Sequence, residues 1–278
     1  MIDLHTHTHA SDGTASPAEL IQEAVSIGLE ALAVSDHDTL AGYDEAVPLA
    51  AAAGLDLLCG IEVSTKYRGK SVHLLGYFPS AAPAAEFREW LKFNQASRRD
   101  RNRRLIARLQ TLGIDIQLEE VEAIGRSLAG RPHFAKIMVQ KGYAKSNQDA
   151  FDEYLDEAAI GYVDRDEAQL SDAIERVARG GGVPSLAHPI RVTRDEAKLR
   201  ELIVEMKPHG LAGIEVFHSD HTAEDSIFYG KLAVEYGLVV TGGSDFHGDA
   251  KPKIRLGTGF NGNLNISKSV LDALRARI

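Results

Sequence analysis

The chain opens MIDLHTHTHASDG (residues 1–13), and the reading of this stretch decides the rest. Its apolar start has the alternation of a short strand, on which side chains two residues apart share a face. His5 and His7 therefore present two imidazoles on one side, a pair that can chelate a single ion. His9 keeps the same period, but the Ser11-Asp12-Gly13 turn follows at once, which leaves His9 at the rim. The question is whether later strands deliver matching ligands.

They do so repeatedly. SPAELIQEAVSIGL (16–29) reads as a helix with Ser16 as N-cap, Pro17 at the first position and Glu19 closing a capping box. LEALAVS (29–35) is a second strand, followed by a helix at YDEAVPLAAAAG (43–54) in which Pro48 is expected to introduce a kink. DLLCGIEVS (56–64) and SVHLLGYF (71–78) give two more strands, and strand and helix alternate again from about Leu170 to the end. Between them, roughly Glu86 to Asp166, the strands vanish and helical patterns take over. The expected architecture is a parallel α/β barrel of residues 1–85 and 167–278, interrupted by a helical insertion or lid at 86–166.

Composition narrows the class. The 278 residues are 44% hydrophobic and 26% charged, ordinary globular usage. Apolar runs fall short of the roughly 20 residues of a membrane span, and the first residues lack the basic and apolar regions of a secretory signal, so a soluble cytoplasmic protein is expected. With Cys59 as the only cysteine, any metal is left to His, Asp and Glu. A net charge of −9 argues against a global field for long nucleic acid, although bound cations can still attract phosphate.

Metal-type side chains recur where the β-runs stop: His37 in SDHD, Glu62 in GIEVS, His73 in SVHLLGY, His188 in AHP, His218 in EVFHSDH, and Asp245 with His247 in GSDFHG. The carboxyl ends of the strands of a parallel barrel gather on one face, so these distant positions become neighbours. A mixed imidazole and carboxylate set suits Mn, Fe, Co or Zn better than Ca or Mg.

In their order, DLHTHTHASDGT, AVSDHDTLAG, GIEVS, VHLLGY, LAHP and GSDFHG resemble the successive motifs of the polymerase and histidinol phosphatase (PHP) family. The resemblance implies a distorted (β/α)7 barrel that hydrolyses phosphoesters with two or three divalent ions, manganese in the first place and iron or zinc as alternatives. Carried over by position, it implies one ion on His5, His7, Glu62 and Asp245. Glu62 would bridge to a second ion on His73 and His188, and Asp12, His37 and His247 would hold a third. Such ions lower the pKa of bound water and polarise phosphoryl oxygens.

For the substrate, GRPHFAKIM places Arg131 and His133 at a helix start, where a guanidinium fork and backbone donors suit a phosphate. His218 is the candidate to position phosphate or to protonate the leaving oxygen. The run RRDRNRRLIAR (98–108) reads first as a solvated face, with Arg101 or Arg104 as candidates for a second phosphate. Asp36 and Asp38 are expected to orient His37, and His209 and His221 to lie on the surface.

Within that family the compact barrel with this insertion most resembles phosphatases of nucleoside 3′,5′-bisphosphates. The alternatives are a 5′-to-3′ exoribonuclease on short RNA and a phosphatase of another small ester such as histidinol phosphate. Amidohydrolases share the H-x-H strand, but here Glu62 takes the bridging place and a third ligand set is present. No obligate protein partner is implied.

Overall fold

The computed structural model describes residues 1–125 and 129–277. In the first part of the barrel lie β1 (Ile2–Asp3), α1 (Pro17–Ser26), β2 (Ala31–Val34), α2 (Ala41–Ala53), β3 (Asp56–Tyr67) and β4 (Lys70–Phe78). Helices α3 (Ala85–Thr111), α4 (Leu118–Gly125), α5 (Arg131–Gln140) and α6 (Asn147–Ala150) follow. The chain then returns through β5 (Ala168–Gln169), α7 (Leu170–Arg179), β6 (Val183–Leu186), α8 (Pro189–Val192), α9 (Glu196–Met206) and β7 (Gly213–His218). The last part holds α10 (Ala223–Tyr236), β8 (Val239–Gly243), the small pair β9 (Ile254–Arg255) and β10 (Gly259–Phe260), and α11 (Lys268–Arg275).

The main sheet runs β1-β2-β3-β4-β6-β7-β8, with the two-residue β5 beside β3. Its ends meet where Asp245 N–H donates to His5 O (2.8 Å) and His7 N–H donates to Phe246 O (2.9 Å). The chain is thus an α/β barrel of seven strands that closes beside the histidine pair.

One expectation needs correcting. The barrel is not all parallel: β4 is antiparallel to both β3 and β6. The cause is local, because Arg68 and Gly69 both take positive φ (49° and 79°) and make a two-residue hairpin between β3 and β4. Since β4 runs backwards, His73 reaches the mouth from the start of its strand, opposite Ser64 near the end of β3. Gly69 is the residue in that turn that adopts this conformation without a Cβ penalty.

Packing follows the sequence pattern. Leu170, Ala173, Ile174 and Val177 give α7 its buried stripe, and the Ser16/Glu19 capping box starts α1. Helix α2 runs unbroken through Pro48. The barrel interior holds Leu4, Leu58, Leu75 and Tyr77, whose hydroxyl donates to Leu4 O. The helices between β4 and β5 bury a core of their own, including Leu105, Leu109, Ile116, Phe134, Met138 and Leu155. Helix α3, about 40 Å long, joins the two: its first half buries Phe87 and Leu91 against the barrel, its second half Leu105 and Leu109 in the inserted core.

Two glycines separate close packing from free surface. A Cβ on Gly243 would lie 2.2 Å from the His5 backbone nitrogen, whereas one on Gly230, in α10, would meet nothing closer than 4.0 Å. Gly243→Ala is therefore expected to destabilise by about 1–3 kcal/mol through overpacking. Gly230→Ala is expected to stabilise by up to about 1 kcal/mol through helix propensity. Urea unfolding of the two variants checks the pair, and equal effects would contradict it.

Candidate metal centre

The site is built around one carboxylate. Glu62 is buried at the mouth end of β3, and β2 leads into it through Asp38 N–H donating to Glu62 O (3.0 Å). Five imidazole nitrogens face its two oxygens. Those of His5 Nε2, His7 Nε2 and His37 Nδ1 lie 3.2, 3.1 and 3.3 Å from Oε2. His73 Nδ1 and His188 Nε2 lie 2.8 and 2.9 Å from Oε1. Asp245, delivered after β8, places Oδ1 3.6 Å from His5 Nε2 and 3.4 Å from His7 Nε2. On the far side, Asp12 lies 3.2 Å from His247 Nε2 and 3.6 Å from His37 Nε2. The structure brings His5, His7, Asp12, His37, Glu62, His73, His188, Asp245 and His247 into one continuous cluster.

This arrangement fits cations on its own evidence. His5 Nδ1 and His247 Nδ1 are engaged with Glu215 Oε1 and the Asp245 carbonyl, both at 2.8 Å, so the opposite ring nitrogens turn lone pairs toward carboxylates. His5 Nε2, both nitrogens of His7, His37 Nδ1 and His188 Nδ1 are buried without a hydrogen-bond partner. Opposed lone pairs at such distances repel unless protons or metal cations stand among them. Among the described residues, four ligand groupings are close enough to hold an ion: His5/His7/Glu62/Asp245, His37/Glu62/His73, His7/Asp12/His37/His247, and His5/Glu215/His218.

Protonation reports the same field. Burial disfavours charge on Glu62, Asp12 and Asp245, yet their cationic and imidazole neighbours hold all three well below the usual carboxylate range. Burial also opposes charge on His7, but Asp245 and Glu62 outweigh it and lift the pKa to about 9. For His188, burial and then Arg191 lower it to about 3, and burial takes His37 to about 3, so both offer neutral rings near pH 7.

The supporting residues differ from those expected. Asp36 and Asp38 do not hydrogen-bond His37: their oxygens are taken by other partners, and Asp38 turns away with a positive φ of 53°. Asp36 instead accepts Thr8 N–H, Thr8 Oγ1–H and Ser11 Oγ–H (2.7, 2.6 and 2.5 Å), fixing the loop that carries Asp12. Asp38 accepts from Arg98 (2.5 Å), Arg165 (3.4 Å) and Ser64 N–H (3.0 Å). Asp3 ties His5 N–H, Ser244 N–H and Gly257 N–H together beneath the site. Glu215, a lone acid in the apolar run GIEVFH, was the legible signal that the sequence reading passed over.

A cavity of about 700 Å³ opens above the cluster. Asp12, His37, Glu62, His73, Asp245 and His247 form its floor; Arg98, Arg101, Arg131 and Arg165 line one wall, Arg191 and Lys251 another. Arg131 Nη1 also donates to Leu155 O (3.1 Å). His133 lies buried behind, its Nδ1 accepting Gly130 N–H (2.9 Å). His218 has no exposed surface: its Nδ1 accepts Asp220 N–H (3.0 Å), and Nε2 points to Asp245 Oδ2 at 3.4 Å. Arg104 turns outward to Asp100 (2.9 Å). His9 is half-buried at the turn and His209 pairs with Glu175 on the surface. His221, expected on the surface, is buried against Tyr229, with Nδ1 donating to Val216 O (2.9 Å), because the short loop after β7 folds back under α10.

A cation bound through His7 must displace the proton that His7 carries below pH 9. Acid therefore competes with metal. Apparent affinity for a divalent ion is expected to rise with pH by about tenfold per unit for each proton displaced, up to about pH 9. Competition against a chelator of known pH dependence checks this, and an affinity flat between about pH 7 and 9 would contradict it.

Comparison with known proteins agrees with this geometry. The PHP domain family model matches residues 3–163. A Haemophilus influenzae protein named 5′-3′ exoribonuclease is 34% identical over 88% of this chain and 89% of its own. A Chromobacterium violaceum protein named 3′,5′-nucleoside bisphosphate phosphatase is 34% identical over 88% of this chain and 87% of its own. A solved structure from Bifidobacterium adolescentis, described as a candidate metal-dependent phosphoesterase, superposes with a TM-score of 0.87 at 31% identity, covering 99% of this chain and 96% of that one. The chain belongs to the PHP domain family.

Proposed function

We propose that the chain is a metal-dependent phosphatase that removes the 3′-phosphate of nucleoside 3′,5′-bisphosphates such as adenosine 3′,5′-bisphosphate. The observation that carries this is the juxtaposition of the ligand cluster with an arginine wall holding more positive charge than its acids neutralise. Arg98 and Arg165 share Asp38, and Arg165 also meets Glu167 at 3.1 Å. Arg101 and Arg131 have no carboxylate within ion-pair distance among the described residues. Burial, then Arg98 and Arg165, push the Arg101 guanidinium well below its ordinary pKa, the mark of a cation lacking a counter-anion. A substrate with two phosphates supplies one to the cluster and one to this wall.

The reading extends to the ions and to the insertion. Three divalent ions are assigned: one to His5, His7, Glu62 and Asp245, one to Glu62, His73 and His188, one to Asp12, His37 and His247. Manganese is the first choice and iron or zinc the alternatives, because imidazole and carboxylate are mixed. When bound, such ions supply a water of lowered pKa and polarise the phosphoryl oxygens. Around them, Arg191 and Lys251 lie 3.0 and 2.7 Å from Asp245 Oδ2 and present N–H donors to the reacting phosphate. His218, its Nε2 buried without a hydrogen-bond partner and 3.4 Å from that same carboxylate, is assigned to position the phosphate or to protonate the leaving oxygen. Arg131 anchors the distal phosphate, with His133 fixing the helix start that carries it. Residues 86–166 act as a lid domain on the barrel formed by 1–85 and 167–278. A cytoplasmic location is in keeping with the single buried Cys59, and among the described residues no helix is long and apolar enough to cross a membrane.

Short-RNA hydrolysis remains the second reading, supported by the similarity to proteins named 5′-3′ exoribonuclease. The basic run favours small substrates over long RNA, because four of its arginines are engaged within the protein: Arg98 with Asp38, Arg99 with Glu122, Arg104 with Asp100, and Arg108 with Ile160 O.

Assay of an adenosine 3′,5′-bisphosphate, histidinol phosphate and a short 5′-phosphorylated RNA, with Mn²⁺ present, is expected to give the highest kcat/KM for the bisphosphate. Arg131→Ala is expected to raise KM for the bisphosphate about 10–100-fold, the loss of one charge-assisted contact, while sparing a simple monophosphate ester. Equal losses on both substrates, or faster turnover of histidinol phosphate, would overturn the reading.

A further inference from the structure

We propose that Glu215 is a positioning residue that presents His5 and His188 to the ions from behind, without itself ligating one; this rests on the reading of the cluster as a metal centre. Glu215 lies on β7 between Ile214 and Val216 and has no exposed surface. Its Oε1 sits 2.8 Å from His5 Nδ1, and its Oε2 accepts His188 N–H at 2.6 Å. Those two histidines address different oxygens of Glu62: His5 Nε2 faces Oε2 and His188 Nε2 faces Oε1. Among the described residues, Glu215 is therefore the one side chain that grips both halves of the Glu62 bridge.

Each contact does a different job. A proton held on His5 Nδ1 by a carboxylate leaves Nε2 with its lone pair aimed into the cluster, so Glu215 selects the tautomer that can ligate. The His188 contact is to backbone, and His188 adopts φ 22° and ψ 68°, a conformation few non-glycine residues hold. Accepting its N–H restrains the sharp exit from β6 that turns the ring toward Glu62. His5, Glu215 and His218 are close enough to hold an ion themselves. Both Glu215 oxygens are already taken by donors, which assigns the positioning role instead.

A carboxylate offers two acceptors, whereas a glutamine amide offers one acceptor and one donor. In Glu215→Gln, either His5 is driven to the Nε2–H tautomer or the His188 N–H is left facing an NH₂ group. Metal-free wild type and Glu215→Gln are titrated with Mn²⁺ by calorimetry, and ¹⁵N-histidine NMR of the protein loaded with diamagnetic Zn²⁺ reads the tautomer of His5. Affinity for the two ions that share Glu62 is expected to fall about 10–100-fold, with the ion on Asp12, His37 and His247 retained at wild-type affinity. The wild-type spectrum is expected to show the His5 proton on Nδ1, a readout that needs no variant to fold. Unchanged binding of every ion, an equal loss at all of them, or a wild-type proton on Nε2 overturns the proposal. Failure of the wild type to bind Mn²⁺ at all overturns the parent reading instead.

Discussion

Everything at the barrel mouth depends on the Glu62 carboxylate standing among five imidazole nitrogens within 2.8–3.3 Å. Buried charge is tolerated in a protein only when it is compensated, and neutral imidazoles such as those of His37 and His188 compensate poorly. Cations among these groups resolve the conflict at one stroke. The same requirement explains the layer behind: Glu215, Asp3 and Asp36 spend their oxygens on holding ligand-bearing backbone and rings in place, so the cluster keeps its geometry against mutual repulsion.

The barrel and the insertion meet at a second buried charge. Asp38 follows His37, and it is gripped by Arg98 from α3 and by Arg165 from the segment that leads into β5. Both ends of the insertion are thus fastened to one aspartate beside the metal ligands. Burial alone would raise the Asp38 pKa, but the two guanidiniums hold it well below the usual range, so this clamp is fully formed near pH 7 and is lost only as pH falls into the acid range. The fastening brings the arginine wall over the cluster, so that guanidiniums and the imidazole–carboxylate cluster line one cavity.

The sequence made the clustering side chains legible because period-two spacing and strand ends are short-range patterns, as with His5 and His7 or Asp245 and His247. The alternation of strand and helix likewise pointed to the barrel, and the run of helical patterns to the helices between β4 and β5. What stayed hidden depends on long-range pairing. The Arg68-Gly69 turn reverses β4 and alters the direction from which His73 arrives. Arg98, inside a run that reads as a solvated face, is buried because its partner Asp38 lies 60 positions away. His221 read as surface because nothing local reveals that α10 covers it. Side chains whose role is fixed by one distant partner leave no periodic trace.

The central claim is that the cluster is a multi-ion centre organised by Glu62. Anomalous diffraction at the manganese edge from crystals soaked in Mn²⁺ tests it most directly. Two peaks sharing the Glu62 carboxylate are expected, one toward His5, His7 and Asp245 and one toward His73 and His188, with a third beside Asp12, His37 and His247. A single peak away from Glu62, or none, would contradict it.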